Sequence, residues 1–226
     1  METGNAISLS NINLIATNNR CILKNINLDI KKGEFVSIIG HNGAGKTSLL
    51  KLINGLINPT SGTIKIFTKN INNDLKKHIG YIPQTNFFEN NIPINVRQTI
   101  EIGLTAKNGI FSKISYSDKL FVEDIAKKIG IFNLLDTPIG KLSGGQMQKV
   151  SVARVLAQEA KILLLDEPLS NLDTNSQQDV IEILEHIYKQ ENVTILLVIH
   201  NQKLIPKCCN KTVTLENGEI KIIDEH

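Results

Sequence analysis

The sequence predicts an α/β fold: a parallel-sheet core, a small antiparallel sheet beside it, and an inserted block of helices. Three observations carry this. Apolar runs such as Val36-Ser37-Ile38-Ile39 and Ile162-Leu163-Leu164-Leu165 alternate with helical segments, as a sheet buried on both faces requires. The N-terminal stretch alternates loosely in hydropathy, as an antiparallel strand pair does. From about Phe87 to Leu142 that alternation stops, and Phe121, Ile125 and Ile129 recur at helical spacing.

The elements follow in chain order. Ile7, Leu9, Ile12 and Leu14 give a first strand and Ile22, Leu23, Ile26, Leu28 and Ile30 a second, around the turn Thr17-Asn18-Asn19-Arg20. Glu34-Phe35-Val36-Ser37-Ile38-Ile39 is a short buried strand that runs into a glycine-rich turn, then a helix over 47–54 ended by Gly55. Asn58-Pro59-Thr60-Ser61-Gly62 is a turn before a strand at 63–67, and another strand falls near 79–82. In the helical block Asp118, Lys119, Glu123, Asp124, Lys127 and Lys128 take the faces away from the apolar stripe. Residues 161–166 and 193–200 read as two more buried strands, separated by a helix over 175–189. Asn217-Gly218, between Val213/Leu215 and Ile220/Ile222, marks a hairpin.

Composition narrows the function. At roughly 150 residues per domain, a chain of 226 residues holds one domain with a smaller subdomain. With 41% hydrophobic and 21% charged residues the chain is globular rather than disordered. It has 7 Phe, 3 Tyr and no Trp, so its core is aliphatic and a base-stacking nucleic-acid surface is excluded. A net charge of +3 does not demand a polyanionic partner. No apolar stretch approaches the ~20 residues of a membrane span, and the polar start METGNAISLS lacks the apolar segment of a signal peptide. Cys21, Cys208 and Cys209 have no metal-ligand spacing and are expected to be reduced, buried thiols.

Three motifs carry chemistry. Gly40-His41-Asn42-Gly43-Ala44-Gly45-Lys46-Thr47, continuing into Ser48, satisfies G-x-x-x-x-G-K-[ST] between a buried strand and a helix. Small residues there let successive backbone N–H groups curl around phosphate oxygens at a helix N-terminus; Lys46 reaches the outer phosphates and Thr47 offers a hydroxyl to Mg²⁺. Ile162-Leu163-Leu164-Leu165-Asp166-Glu167 places two carboxylates at the carboxyl edge of a sheet, where α/β folds bind ligands. Asp166 suits metal coordination through water, and Glu167 suits polarising an attacking water. Leu142-Ser143-Gly144-Gly145-Gln146 directly precedes a helical stretch over 147–158, giving either a plain serine cap or a second anion site. A single-site enzyme does not need the latter, unless it serves a nucleotide held by another copy's phosphate loop.

Taken together the motifs resemble the ATP-binding subunit of an ABC transporter, over essentially the whole chain. Residues 40–47 match the Walker A motif and Gln84 in Tyr81-Ile82-Pro83-Gln84 the Q-loop. Residues 142–146 match the family signature, and 162–166 with Glu167 match Walker B and its catalytic glutamate. Ser170-Asn171-Leu172-Asp173 matches the D-loop and His200 the switch histidine. The resemblance implies a RecA-like core with an antiparallel β subdomain (1–86 and 160–226) and an α-helical subdomain (87–159). It implies ATP and Mg²⁺ as ligands, with Thr47, Gln84 and Asp166 towards the metal. It also implies a head-to-tail dimer with a second copy, in which Ser143, Gly144, Gly145 and Gln146 of one chain close over the ATP on the other's phosphate loop. Glu167, His200 and Gln84 take the catalytic roles: base or water orienter, γ-phosphate contact, and sensor of Mg²⁺ and the membrane partner.

The same resemblance implies a transmembrane permease subunit as partner, an extracytoplasmic substrate-binding protein indirectly, no nucleic acid, and a place on the cytoplasmic face of a bacterial cell membrane. The stretch from Tyr81 through Ile92-Pro93-Ile94-Asn95-Val96, Gly103 and Gly109-Ile110-Phe111-Ser112 to Asp118-Lys119 is similar to subunits that import zinc or manganese. Iron-chelate and other small-solute transporters are the alternative. A soluble ABC ATPase is disfavoured by the absence of a tandem cassette or heptads, and a non-hydrolysing regulator by Glu167 and His200. One departure stands out: the family's adenine-stacking aromatic belongs near Ile15 or Ala16, and none is there. Lys149, where Arg is frequent, and Asn201, where Asp is frequent, are minor departures.

Overall fold

A computed structural model describes residues 4–84, 93–109 and 112–226. Phe87, where the helical block is expected to begin, lies outside the described residues, as do Ile92, Ile110 and Phe111 of the stretch likened to metal importers.

Two sheets form. Strands β1 (Asn5–Ile15) and β2 (Cys21–Lys31) pair antiparallel, and β4 (Ser61–Ile66) and the short β5 (Lys69–Asn70) extend them in the order β2-β1-β4-β5. The second sheet has the order β10-β9-β3-β8-β7-β6, with β3 at Phe35–Ile39, β6 at Ile79–Ile82, β7 at Ile162–Asp166, β8 at Thr194–Val198, β9 at Lys211–Glu216 and β10 at Glu219–Glu225. Its strands run parallel except β10, which returns antiparallel through the predicted Asn217-Gly218 turn. Both turn residues have positive φ, 49° and 79°, the twist a tight hairpin needs.

The continuous apolar runs of β3, β7 and β8 have a simple cause: every residue in them is buried, because both faces of this sheet are covered. Val36, Ile38, Ile162, Leu164, Leu196 and Val198 face a core shared with the antiparallel sheet and helix α1 (Lys46–Ile53). Phe35, Ile39, Leu163, Leu165, Ile195 and Leu197 face the other core. That second core is filled by α3 (Val96–Asn108), α4 (Tyr116–Lys128), α5 (Gly144–Ala157) and α6 (Thr174–Glu191). The helical block therefore has no separate core; its apolar stripe and one face of the sheet are a single cluster.

Local signals fix the helix ends. Asn95 with Gln98, Ser115 with Asp118, and Ser143 with Gln146 each form a reciprocal capping box, and the Asp173 carboxylate caps α6. The Ser143 cap starts α5 at Gly144, three residues before the expected 147. A short helix α2 (Asn73–Lys76), which no sequence period marks, is capped by Asn72. Helices α3 and α5 press together at Gly103, where a Cβ would stand 2.0 Å from the Arg154 carbonyl oxygen. Strand β8 closes at Val198, earlier than the expected 200, so His200 stands beyond the strand end.

The expectation that all three cysteines are buried holds for Cys209 alone. Cys21 is exposed at the start of β2, and Cys208 is half-buried, with burial pushing its thiol up to about 11. Being small and apolar does not bury a cysteine at a strand end that opens onto a cleft. None of the three is in a disulfide.

Candidate nucleotide site

The site grows from the carboxyl ends of four adjacent parallel strands, β3, β8, β7 and β6. Gly40, His200 and Gln84 stand beyond β3, β8 and β6, while Asp166 ends β7 and Glu167 follows it. This is the edge at which open α/β sheets bind ligands. A cleft of about 760 Å³ opens there, lined in part by Asn42, Gly43, Gly45, Lys46, Thr47 and Ser48, with Gln84 and Glu167.

The loop after β3 is shaped by backbone that only glycine supplies at low cost. Gly40 has φ +155°, and a Cβ there would stand 2.1 Å from the Leu215 carbonyl oxygen. Helix α1 then follows Gly45, which is left-handed and offers no side-chain cap, so the first N–H groups of the helix have no capping partner, and residues 45–48 line the cleft. Lys46 is buried, and its ammonium donates to the Gly40 carbonyl at 2.8 Å and the His41 carbonyl at 3.0 Å. Burial lowers its pKa, and the nearby carboxylates of Glu167 and Asp166 oppose that shift. Ala44 packs into the core below the loop.

The carboxylates are held from several sides. The Thr47 hydroxyl donates to one Asp166 oxygen at 3.0 Å, and the Tyr81 hydroxyl donates to the other at 3.2 Å. Burial raises the Asp166 pKa, and these two hydrogen bonds pull it back. Burial, followed by the Asp166 charge, pushes the Tyr81 phenol well above its usual range. Glu167 receives a hydrogen bond from the Gln84 amide at 2.7 Å, lies 2.5 Å from His200 Nε2 and 3.8 Å from the Lys46 ammonium. It does so with φ at 52°, in the left-handed region that non-glycine residues rarely take. The Ser170 N–H and hydroxyl hold its carbonyl at 3.1 and 2.8 Å.

Ser143 to Gln146 stand elsewhere, and none of them lines the cleft. The Gln146 N–H donates to the Ser143 hydroxyl at 3.3 Å, and the Ser143 N–H donates to the Gln146 side chain at 2.9 Å. Gly145 packs on Ser176 of α6, 2.6 Å from where its Cβ would be. At the other end α5 is hooked to β6: Arg154 donates to the Tyr81 carbonyl at 3.2 Å, and Gln158 donates to those of Lys77 and Ile79 at 2.9 and 3.0 Å.

The chain thus gathers Lys46, Thr47, Gln84, Asp166, Glu167 and His200, and leaves the Ser143 group apart. Tyr81 joins the site although it carries no motif role in the sequence. Tyr81 was legible only through the parallel pairing of β6 and β7, which sets it opposite Leu164, two residues before Asp166. Arg20 joins the cleft lining through the β1–β2 turn.

Comparison with known proteins is consistent with this geometry. A family model described as ABC transporter matches residues 23–170. The high-affinity zinc uptake system ATP-binding protein ZnuC of Bacillus subtilis is 35% identical over 216 residues, 95% of this chain and 93% of that protein. The phosphonates import ATP-binding protein PhnC of Fusobacterium nucleatum is 37% identical over 212 residues, 88% of this chain and 84% of that protein. Among solved structures, cbiO1 of Clostridium perfringens, part of the ABC transporter complex cbiONQ, superposes with a TM-score of 0.84 at 28% identity, covering 98% of this chain and 89% of that one.

Proposed function

This chain belongs to the ABC transporter family and is its ATP-hydrolysing subunit; from that premise we propose that it energises the import of a metal ion such as zinc or manganese. The observation that carries the site is the convergence of Lys46, Thr47, Asp166, Glu167, Gln84 and His200 on one strand edge. In this reading the backbone N–H groups of 40–48 and Lys46 hold the triphosphate. Glu167 takes the proton of the attacking water, and His200 and Gln84 hold that carboxylate in place.

Mg²⁺ fits the donor set: a hydroxyl and a carboxylate oxygen 3.0 Å apart, few enough ligands for an ion that keeps most of its waters. Thr47 and Asp166 would hold it, with Gln84 near; bound there, it would neutralise charge on the phosphates. The separate position of Ser143–Gln146 supports a head-to-tail dimer with a second copy, each signature closing on the other's phosphate loop.

We read residues 87–159 as the subdomain that meets a transmembrane permease at the cytoplasmic face of the membrane, with an extracytoplasmic substrate-binding protein feeding that permease. None of the helices among the described residues is long and apolar enough to span a membrane. The 35% identity to ZnuC across 95% of this chain supports the metal. The 37% identity to PhnC supports a second reading, phosphonate import. Co-purification from membranes identifies the permease. Uptake of radiolabelled zinc and manganese with and without this subunit then decides: dependence on the subunit is expected, whereas unchanged metal uptake together with lost phosphonate uptake contradicts the metal reading.

A further inference from the structure

The motifs give Tyr81 no role, yet its hydroxyl is seated on a carboxylate at the centre of the site. Strands β6 and β7 pair in parallel with Tyr81 opposite Leu164, and Asp166 lies two residues further along β7 on the same face. The tyrosine packs against the core shared with the antiparallel sheet and α1, and its hydroxyl bridges that offset to donate to Asp166 Oδ2 at 3.2 Å. The backbone behind it is clamped. Arg154 of α5 donates to the Tyr81 carbonyl at 3.2 Å, and at the neighbouring Gly80 a Cβ would stand 2.0 Å from Val155 Cγ1. Asp166 is fully buried, so bulk water does not stand ready to replace a lost donor. Its other oxygen, Oδ1, receives the Thr47 hydroxyl at 3.0 Å.

We infer that Tyr81 is a positioning residue for the Mg²⁺ site: its phenol fixes the plane of the Asp166 carboxylate, so that the Thr47–Asp166 pair keeps its place for the ion. A carboxylate turns easily about its last torsion, and one donor alone leaves that plane loose. Thr47 is no independent anchor, because it belongs to the donor pair itself. Tyr81 ties that pair to the sheet from outside it, as supporting residues do at metal sites. Phenylalanine at 81 would fill the same space and leave Asp166 Oδ2 without this donor. The inference rests on the nucleotide and Mg²⁺ reading above, and it deepens that reading by naming the residue that orients the carboxylate.

The test compares Tyr81→Phe with the parent, both as full chains, by fluorescence titration with N-methylanthraniloyl-AMP-PNP in EDTA and in saturating Mg²⁺. The readout is the affinity gained on adding Mg²⁺, which a general loss of stability does not move. Tyr81→Phe should bind as the parent does in EDTA and gain several-fold less from Mg²⁺, up to roughly tenfold less. ATP hydrolysis should then need correspondingly more Mg²⁺ to reach half its maximal rate. Gln158→Ala frees the carbonyls of Lys77 and Ile79 at the start of the same strand without touching Asp166. It should lower the melting temperature and leave the gain unchanged. A Tyr81→Phe chain with the parent's full gain, a loss equal with and without Mg²⁺, or an equal effect from Gln158→Ala overturns the inference while leaving the nucleotide site standing. If the parent binds the probe equally with and without Mg²⁺, the Mg²⁺ reading falls and this inference falls with it. If the parent does not bind the probe at all, the nucleotide-site reading falls as well.

Discussion

Helix α1 follows Gly45 with no side-chain cap, and its first turn lines a cleft shared with Gln84 and Glu167. Helix α5 follows the Ser143 cap with a complete capping box, and none of the residues from Ser143 to Gln146 lines that cleft. Both starts are glycine-rich, yet one is left uncapped at the cleft and the other is finished by its own side chains. The phosphate-loop half is thus preassembled within one chain. The Ser143 half is capped by its own side chains, and in the proposed dimer it meets the nucleotide on the other copy's phosphate loop.

That contrast can be broken in several ways, from the largest effect down. Glu167→Gln keeps the hydrogen-bonding shape but loses the base; hydrolysis should fall by roughly 10²- to 10⁴-fold while ATP still binds, as a phosphate-release assay beside a binding titration checks. Near-normal turnover would remove Glu167 from the chemistry. Lys46→Ala strips the buried cation from the preassembled half and should weaken nucleotide binding by more than about thirtyfold in the same titration.

Ser143→Ala acts on the other half. It should cost about 0.5–2 kcal/mol of stability through the lost cap, and slow hydrolysis without changing nucleotide affinity of the single chain, as denaturant melts and titrations would show. Loss of affinity in the isolated chain would mean the two halves meet within one molecule. Ala16→Tyr adds the missing ring at the base end and should tighten ATP a few-fold more than CTP; no change would mean that the base lies elsewhere.

The smallest effect concerns the hairpin that supports the phosphate loop, where the Gly218 N–H donates to the Ala44 carbonyl at 3.2 Å. Hydrogen bonds from Lys221 and then Lys24 hold the Glu219 carboxyl down at about 2. A depressed carboxyl stabilises the fold above its ordinary value of 4.5 and loses that contribution as pH falls towards 2. Glu219→Gln should therefore lower the melting temperature slightly at neutral pH and make little difference near pH 2; Glu219 and its two lysine partners are at the surface, where such pairs are weak.

Most of the site was legible in the sequence because its residues follow strand ends, and strand ends are visible as apolar runs. Residues 36–39, 162–165 and 194–198 announce themselves by two-sided burial, and Gly40, Asp166 and Glu167 follow from them. What the sequence hid depends on pairing between distant segments. Tyr81 meets Asp166 only because β6 lies beside β7, and Cys21 is exposed only because β2 starts at the mouth of the cleft. The left-handed Glu167 breaks a local preference without a glycine to signal it; the surrounding contacts from Ser170, Gln84 and His200 impose it. The sharing of one apolar core between the helical block and the sheet was hidden for the same reason, since α4 shows its stripe but not what covers it.

The central claim, that a second copy completes the site, is tested most directly by sedimentation velocity on the Glu167→Gln chain with and without Mg-ATP. The account predicts a monomer that becomes a dimer when ATP is added, and an ATP-loaded monomer when Ser143→Arg is introduced as well. A Glu167→Gln chain that stays monomeric while saturated with ATP would contradict it.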